Sequence, residues 1–141
     1  MPADASALRT ALAAWATQVA GAAAAAAVPI MQRDPRVPHD SGELVGSIRA
    51  DRDVKVAGSR RTVRVRAPVI QARTTDQGAR AHPIYPRRPG GLLVFNWPKA
   101  GGVVFFRHVH HPGNAAHPWW EAVLHDAWGP ALVQAARSTS L

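Results

Sequence analysis

From Thr10 to Gln32 the chain carries no charged side chain, and nearly half of that run is alanine. Alanine is the strongest helix former, so the run predicts one long helix over about Ala5–Ala27, with Asp4 or Ser6 placed to cap its start. Its large apolar residues, Leu8, Leu12, Trp15 and Val19, are spaced four, three and four apart. They form one narrow stripe on a rod of roughly 30 Å. A stripe that thin, set among alanines, suits close packing against another helix or a neighbouring subunit. Pro29, Pro35 and Pro38 are expected to stop the helix and hold an extended connection. The expected division within one domain is therefore a helix over 1–28, a proline-rich connection over 29–39 and an α+β body over 40–141.

The uncharged run is also long enough to raise a membrane span, which takes ~20 predominantly apolar residues. The bulk of alanine, together with Thr17, Gln18, Gly21 and Pro29, argues against one. Asp4 stands beside Arg9 where a signal peptide would carry a cationic start. The expectation is a soluble chain with no membrane partner.

Charge narrows the partners without choosing among them. The chain has 17 Lys+Arg against 9 Asp+Glu, a formal net charge of +8, and only Lys55 and Lys99 are lysines. Arginine pairs bidentately with phosphate and carboxylate, so nucleic acid, an acidic protein surface and anionic lipid all fit. The absence of cysteine removes disulfides, thiolate zinc sites and cysteine nucleophiles.

Past the connection, Asp40 and Glu43 stand at capping-box spacing before Leu44, Val45 and Ile48, which predicts a short helical turn beginning at Asp40–Glu43. Val54 and Val56 alternate with Lys55, and Val63 and Val65 alternate with Arg64 and Arg66, around a turn at Gly58-Ser59-Arg60. Period-two alternation predicts a hairpin with one face on the core and a cationic outer face. Arg60, Arg61, Arg64 and Arg66 are the candidate contacts to DNA or to an acidic partner; a solvated sheet face is the plainer reading. Val69 and Ile70 fit either a strand or a short helix, Arg73–Arg80 reads as a loop, and two prolines make Ala81–Pro86 extended.

A second hairpin is clearer. Leu92–Trp97 and Val103–Val109 are apolar at nearly every position and flank a turn at Pro98–Gly102. Strands of that kind are expected to be covered on both faces, by helices or by a partner. Pro118 suits the first position of a last helix through Trp119, Trp120, Val123, Leu124, Ala127 and Trp128, which Gly129-Pro130 should kink or interrupt. The expected fold class is α+β: a long N-terminal helix, a small, mostly antiparallel sheet built from two hairpins, and a C-terminal helix packed on the sheet. Leu8, Leu12, Trp15, Val19, Phe95, Trp97, Phe105 and Trp119 are the candidate interface residues.

Catalytic signals are weak. His108, His110, His111 and His117, with Asn114, invite comparison with one-metal nucleases of the HNH type. Such sites need the histidine pair and the later histidine on separate elements. Here His111, Asn114 and His117 lie three residues apart in a Pro-Gly loop, with no acidic residue nearby in sequence before Glu121. A tight turn is the simpler reading. No Gly-x-Ser-x-Gly elbow and no Gly-Lys-Ser/Thr phosphate loop occurs, and the scattered carboxylates offer no acid/base pair. The expectation is a non-enzymatic protein with no catalytic residues, no metal and no cofactor.

The order of three blocks resembles a known family. They are Pro38-His39-Asp40-Ser41-Gly42-Glu43-Leu44-Val45-Gly46-Ser47-Ile48, then Ala81-His82-Pro83-Ile84-Tyr85-Pro86 with Leu92–Phe95, then Val109-His110-His111-Pro112-Gly113-Asn114 leading to Pro118-Trp119-Trp120. Together, behind a long first helix, they are similar to the tailed-phage neck or tail-completion proteins, the head–tail joining family also described as minor tail proteins. Val69–Gly78 departs from that family's usual Tyr-Ala and acidic Phe-Gly-Thr-like segment. The resemblance implies a non-enzymatic α+β virion subunit, assembled in the host cytoplasm. It implies a homo-oligomeric ring, six- or twelve-fold, between the head connector and the tail tube. The implied partners are connector, terminator or tail-tube proteins, with genomic DNA passing through unread. The competing readings are a basic DNA-binding module at Arg60–Arg66 and a metal-dependent nuclease at His108–His117.

Overall fold

The computed structural model describes residues 4–141 and has the expected α+β architecture. Helix α1 spans Ala5–Arg33 and is capped by Asp4, whose carboxylate accepts the backbone N–H of Ser6 at 3.0 Å. Helix α2 is Glu43–Ser47. Strands β1 (Arg49–Ala50), β2 (Lys55–Ala57), β3 (Arg60–Thr62) and β4 (Val65–Arg66) follow, then helix α3 (Ile70–Gln77). Strands β5 (His82–Ile84), β6 (Leu93–Trp97), β7 (Gly102–Phe106) and β8 (Val109–His111) precede the last helix, α4 (Trp120–Ser138).

All strand pairs are antiparallel: β1 with β4, β2 with β3, β5 with β8 and β6 with β7. Each hairpin is thus two ladder segments in line, β2–β3 continuing β1–β4 and β6–β7 continuing β5–β8. The two hairpins stay apart as two-stranded ribbons.

The core is a helix pair with the first hairpin laid on it. Along α1, Val19, Ala23, Ala27 and Met31 are buried at four-residue intervals; along α4, Val123, Ala127, Ala131 and Ala135 repeat the interval. Ala27 and Met31 meet Val123 and Ala127, while Val19 and Ala23 meet Ala135, so the helices run antiparallel. Alanine at most of these positions lets the backbones approach closely. The narrow stripe foreseen on α1 is thus filled from Trp15 onward by the chain's own last helix. Val37, Leu44 and Ile48 close one end of the core, and Val65 brings the first hairpin against it. Gly21 sits where a methyl group would meet the Val54 side chain at 3.3 Å, so its lack of a side chain admits the hairpin.

Several local expectations are corrected. Pro29 does not end α1, which continues to Arg33, and the connection is correspondingly shorter than 29–39. Pro130 does not interrupt α4 either. Both prolines are exposed, as are Ala25 and Asp126, the residues whose carbonyls lose their i+4 partner. Those carbonyls face water, and the buried side of each helix continues undisturbed. Helix α2 begins at Glu43, with Gly42 at a φ of 75° before it, so Asp40 makes no capping box. Ser41 Oγ instead accepts the Glu43 N–H at 3.3 Å. The segment expected as a loop over Arg73–Arg80 is mostly α3. Pro118 stands outside α4, which starts at Trp120.

By length and composition α1 is the one described helix that could cross a membrane. Its face from Val19 to Met31 is occupied by α4.

Candidate assembly interface

The second hairpin leaves the body altogether. No residue from Arg73 to Pro118 is buried, and β5–β8 and β6–β7 pack essentially on themselves. The return strand from Gly102 to His111 reaches roughly 30 Å at the usual rise of an extended chain. This is an arm, and its register sorts its apolar residues onto two faces. Leu93 lies opposite Phe106, Phe95 opposite Val104 and Trp97 opposite Gly102. Their rings cluster on one face, Phe95 to Phe106 at 5.9 Å and Trp97 to Phe106 at 6.3 Å. The other face presents Val94, Val103 and Phe105, exposed at 57%, 61% and 61%. Of the two covers expected for this hairpin, helices or a partner, the chain's own helices do not reach it.

The foot of the arm is fixed. Ala79 and Asn114 exchange backbone hydrogen bonds at 3.0 and 2.9 Å, and the Asn114 side chain donates to the Thr74 carbonyl at 2.7 Å. His117 N–H donates to the Thr75 carbonyl at 2.9 Å. Asp76 Oδ1 accepts from the backbone N–H groups of both Trp119 and Trp120 at 2.9 Å. Those groups start α4 and have no partner within the helix, and a carboxylate there also suits the helix dipole. Sequence reasoning passed over Asp76, since its target lies more than forty residues away (Asp76 to Trp119 is |i−j| = 43).

The other candidates divide. Leu8 and Leu12 are exposed at 52% and 44%, on the part of α1 that overhangs the end of α4. Trp15 is half-buried, its indole N–H donating to the Thr139 carbonyl at 3.0 Å. Val19 and Trp119 are core residues of the subunit, and the Trp119 indole donates to Thr75 Oγ1 at 3.3 Å. Neither is available to a neighbour. Phe95, Trp97 and Phe105 are together on the arm.

The four arginines have different roles. Arg61 lies on the helix-facing side of the first hairpin. Its guanidinium donates to Thr17 Oγ1 and the Ala13 carbonyl at 3.2 Å and to the Gly58 carbonyl at 2.8 Å, which holds β3 to α1. Arg66 is paired with Asp51. Arg60 and Arg64 are exposed, and among the described residues neither forms an ion pair. Arg49 and Lys55 are exposed near them.

The histidines spread over the arm. His111 stacks on His82 at 5.2 Å across the β5–β8 pair, and its Nδ1 accepts the Gly113 N–H at 3.0 Å. His110 points to the opposite face, His108 lies by Tyr85 at 5.8 Å, and His117 is exposed at the foot. Among the described residues no three His, Asp or Glu side chains are grouped to hold a metal ion.

Comparison with protein-family models, with curated proteins and with solved structures gives no match.

Proposed function

We propose that this protein is a structural subunit of a tailed-phage virion, forming a ring in the head–tail connector or at the head-proximal end of the tail. The observation that carries the proposal is the arm. A two-stranded ribbon is marginal alone in water, and this one carries Phe95, Trp97 and Phe105 in the open. Exposed apolar surface of that extent marks a site of protein contact. Leu8 and Leu12 supply a second apolar patch, on the opposite side of the chain's sequence and at the free end of α1. Two different patches on one subunit favour head-to-tail contacts, which make rings where the rotation between neighbours closes. The fold class and the order of the three sequence blocks agree with the neck resemblance.

The test is assembly state. Native mass spectrometry and negative-stain electron microscopy of the protein, alone and with the connector and tail-tube proteins encoded beside it, should give closed rings of six or twelve subunits. A monomer under all these conditions overturns the proposal. A second reading, a basic DNA-binding module, draws on the exposed Arg49, Lys55, Arg60 and Arg64. It predicts duplex affinity that falls steeply with salt, and no binding at low salt removes it.

A further inference from the structure

The arm and the body differ in charge as well as in burial. From Gln77 to Trp120 the chain has no Asp or Glu, while Arg80, Arg87, Arg88, Lys99 and Arg107 all lie there. Every carboxylate belongs to the body. On the body, Val63 and Val65 of the first hairpin and Leu124, Trp128 and Gly129 of α4 enclose an open cleft of about 550 Å³, mostly apolar, with Glu121 and His125 at its rim. That volume lies within the roughly 300–1,000 Å³ of pockets that enclose ligand-sized groups. A second cleft adjoins it through Glu121 and His125 and adds Asp76 and Asp126. Asp76 is committed to capping α4 and Asp126 to Arg36, whereas Glu121 forms no ion pair among the described residues.

We infer that the arm of one subunit seats in this cleft of the next, with the Val94–Val103–Phe105 face against Leu124 and Trp128 and the arm's cations beside Glu121. The occupant is a second copy of this chain, because the arm and the cleft match in both respects that decide a contact. Each is apolar at its centre, and the rim charges are of opposite sign. An arm leaving one subunit and a receiving cleft on another make a head-to-tail contact, the kind that generates rings. The inference rests on the reading of this chain as a self-assembling subunit and assigns the surfaces through which it assembles.

Because the chain has no cysteine, introduced thiols report on this contact alone. Val103→Cys places one on the exposed face of the arm, and His125→Cys places one at the rim of the cleft; both positions are exposed. Under mild oxidation the double variant should form a ladder of covalent multimers, reversed by reductant, while each single variant stays uncrosslinked. Covalent dimers from Val103→Cys alone would mean that arms pair with arms, and would overturn the inference. A cross-link confined to the monomer would mean that the arm folds onto its own cleft, with the same consequence. Rings that form without any cross-link overturn the arm-in-cleft contact and leave the ring reading standing. If neither rings nor cross-links form, both fail together.

Discussion

Asp76, at the end of α3, accepts the Trp119 backbone N–H at 2.9 Å, and so ties the helix before the arm to the helix after it. The same oxygen accepts from Trp120, so one carboxylate serves two donors that α4 cannot satisfy. Loss of a capping side chain costs about 0.5–2 kcal/mol, and charge strengthens the bond. Asp76→Ala should lower unfolding free energy by about 1–2 kcal/mol in urea titrations, and Asp76→Asn by less, since an acceptor remains. Equal losses from the two would show that the hydrogen bonds are not the source.

Gly78 and Gly113 fix the foot of the arm by a different device. Both have positive φ, 76° and 82°. A Cβ on Gly78 would lie 2.8 Å from the Asn114 carbonyl oxygen and the Ala116 nitrogen, and one on Gly113 would strike the backbone of Ala79–Ala81. Strain and collision add, so either alanine variant should destabilise by more than about 1 kcal/mol. Gly101→Ala at the arm's tip meets nothing within 4 Å despite a φ of 84°, and should cost less. Thermal unfolding of the three variants side by side checks the ranking.

Much of the fold was legible because its signals are local. The alanine run marked α1, Asp4 was one of two residues placed to cap it, and the turns at Gly58-Ser59 and Pro98–Gly102 marked both hairpins. What escaped depends on which surface meets which. Whether Pro29 breaks a helix turns on the side it faces, and that is set by where α4 packs. Helix α3 is polar, with Ala72 its one buried residue, and it is anchored by distant bonds from Thr75 and Asp76 to Trp119. The candidate interface was half legible for the same reason. Phe95 and Trp119 look alike as aromatic residues beside turns. Only the arm's departure from the body exposes the first, and only the α3–α4 contact buries the second.

Arg61 separates architecture from surface charge. Two of its three hydrogen bonds, to Thr17 and Ala13, hold the first hairpin to α1, and the third stays within the hairpin at Gly58, whereas Arg60 and Arg64 are exposed. Arg61→Ala should destabilise by about 1–2 kcal/mol, at about 0.5–1.5 kcal/mol per ordinary hydrogen bond with partial solvent replacement. Arg60→Ala and Arg64→Ala should stay within about 0.5 kcal/mol of the parent. If the outer face contacts DNA, those two should instead flatten the salt dependence of duplex binding, which fluorescence anisotropy reads directly.

Arg36 joins the end of α1 to α4 by bonding Asp34 at 2.7 Å and Asp126 at 2.9 Å. Its hydrogen bond holds the Asp34 carboxyl down at about 2, from an ordinary 3.8, and lowers Asp126 in the same way with a smaller part from His125. A carboxylate depressed in the folded state stabilises above its unfolded value, and that stabilisation is lost as pH falls from near 4 toward 2. Arg36 and Asp126 are exposed and Asp34 is half-buried, so the effect is small and screened by salt. Melting temperature followed between pH 5 and pH 2 should fall less in Arg36→Ala than in the parent, with the difference shrinking in high salt.

The arm can be removed without touching the core. No buried residue lies between Ala72 and Trp119, and the Ala79–Asn114 bridge closes the foot independently of what extends beyond it. Replacing residues 82–111 by a short Gly-Ser turn should therefore leave the helical circular dichroism and the cooperativity of unfolding close to those of the parent. The cost of closing a loop grows only slowly with its length, so a turn of modest size suffices. Assembly should be lost entirely, because both apolar faces of the arm, with Phe95 and Trp97 on one and Val94, Val103 and Phe105 on the other, are gone. A shortened chain that still forms rings would assign assembly to the Leu8–Leu12 end of α1 instead, and a chain that fails to fold would show that the foot does not close without the strands beyond it.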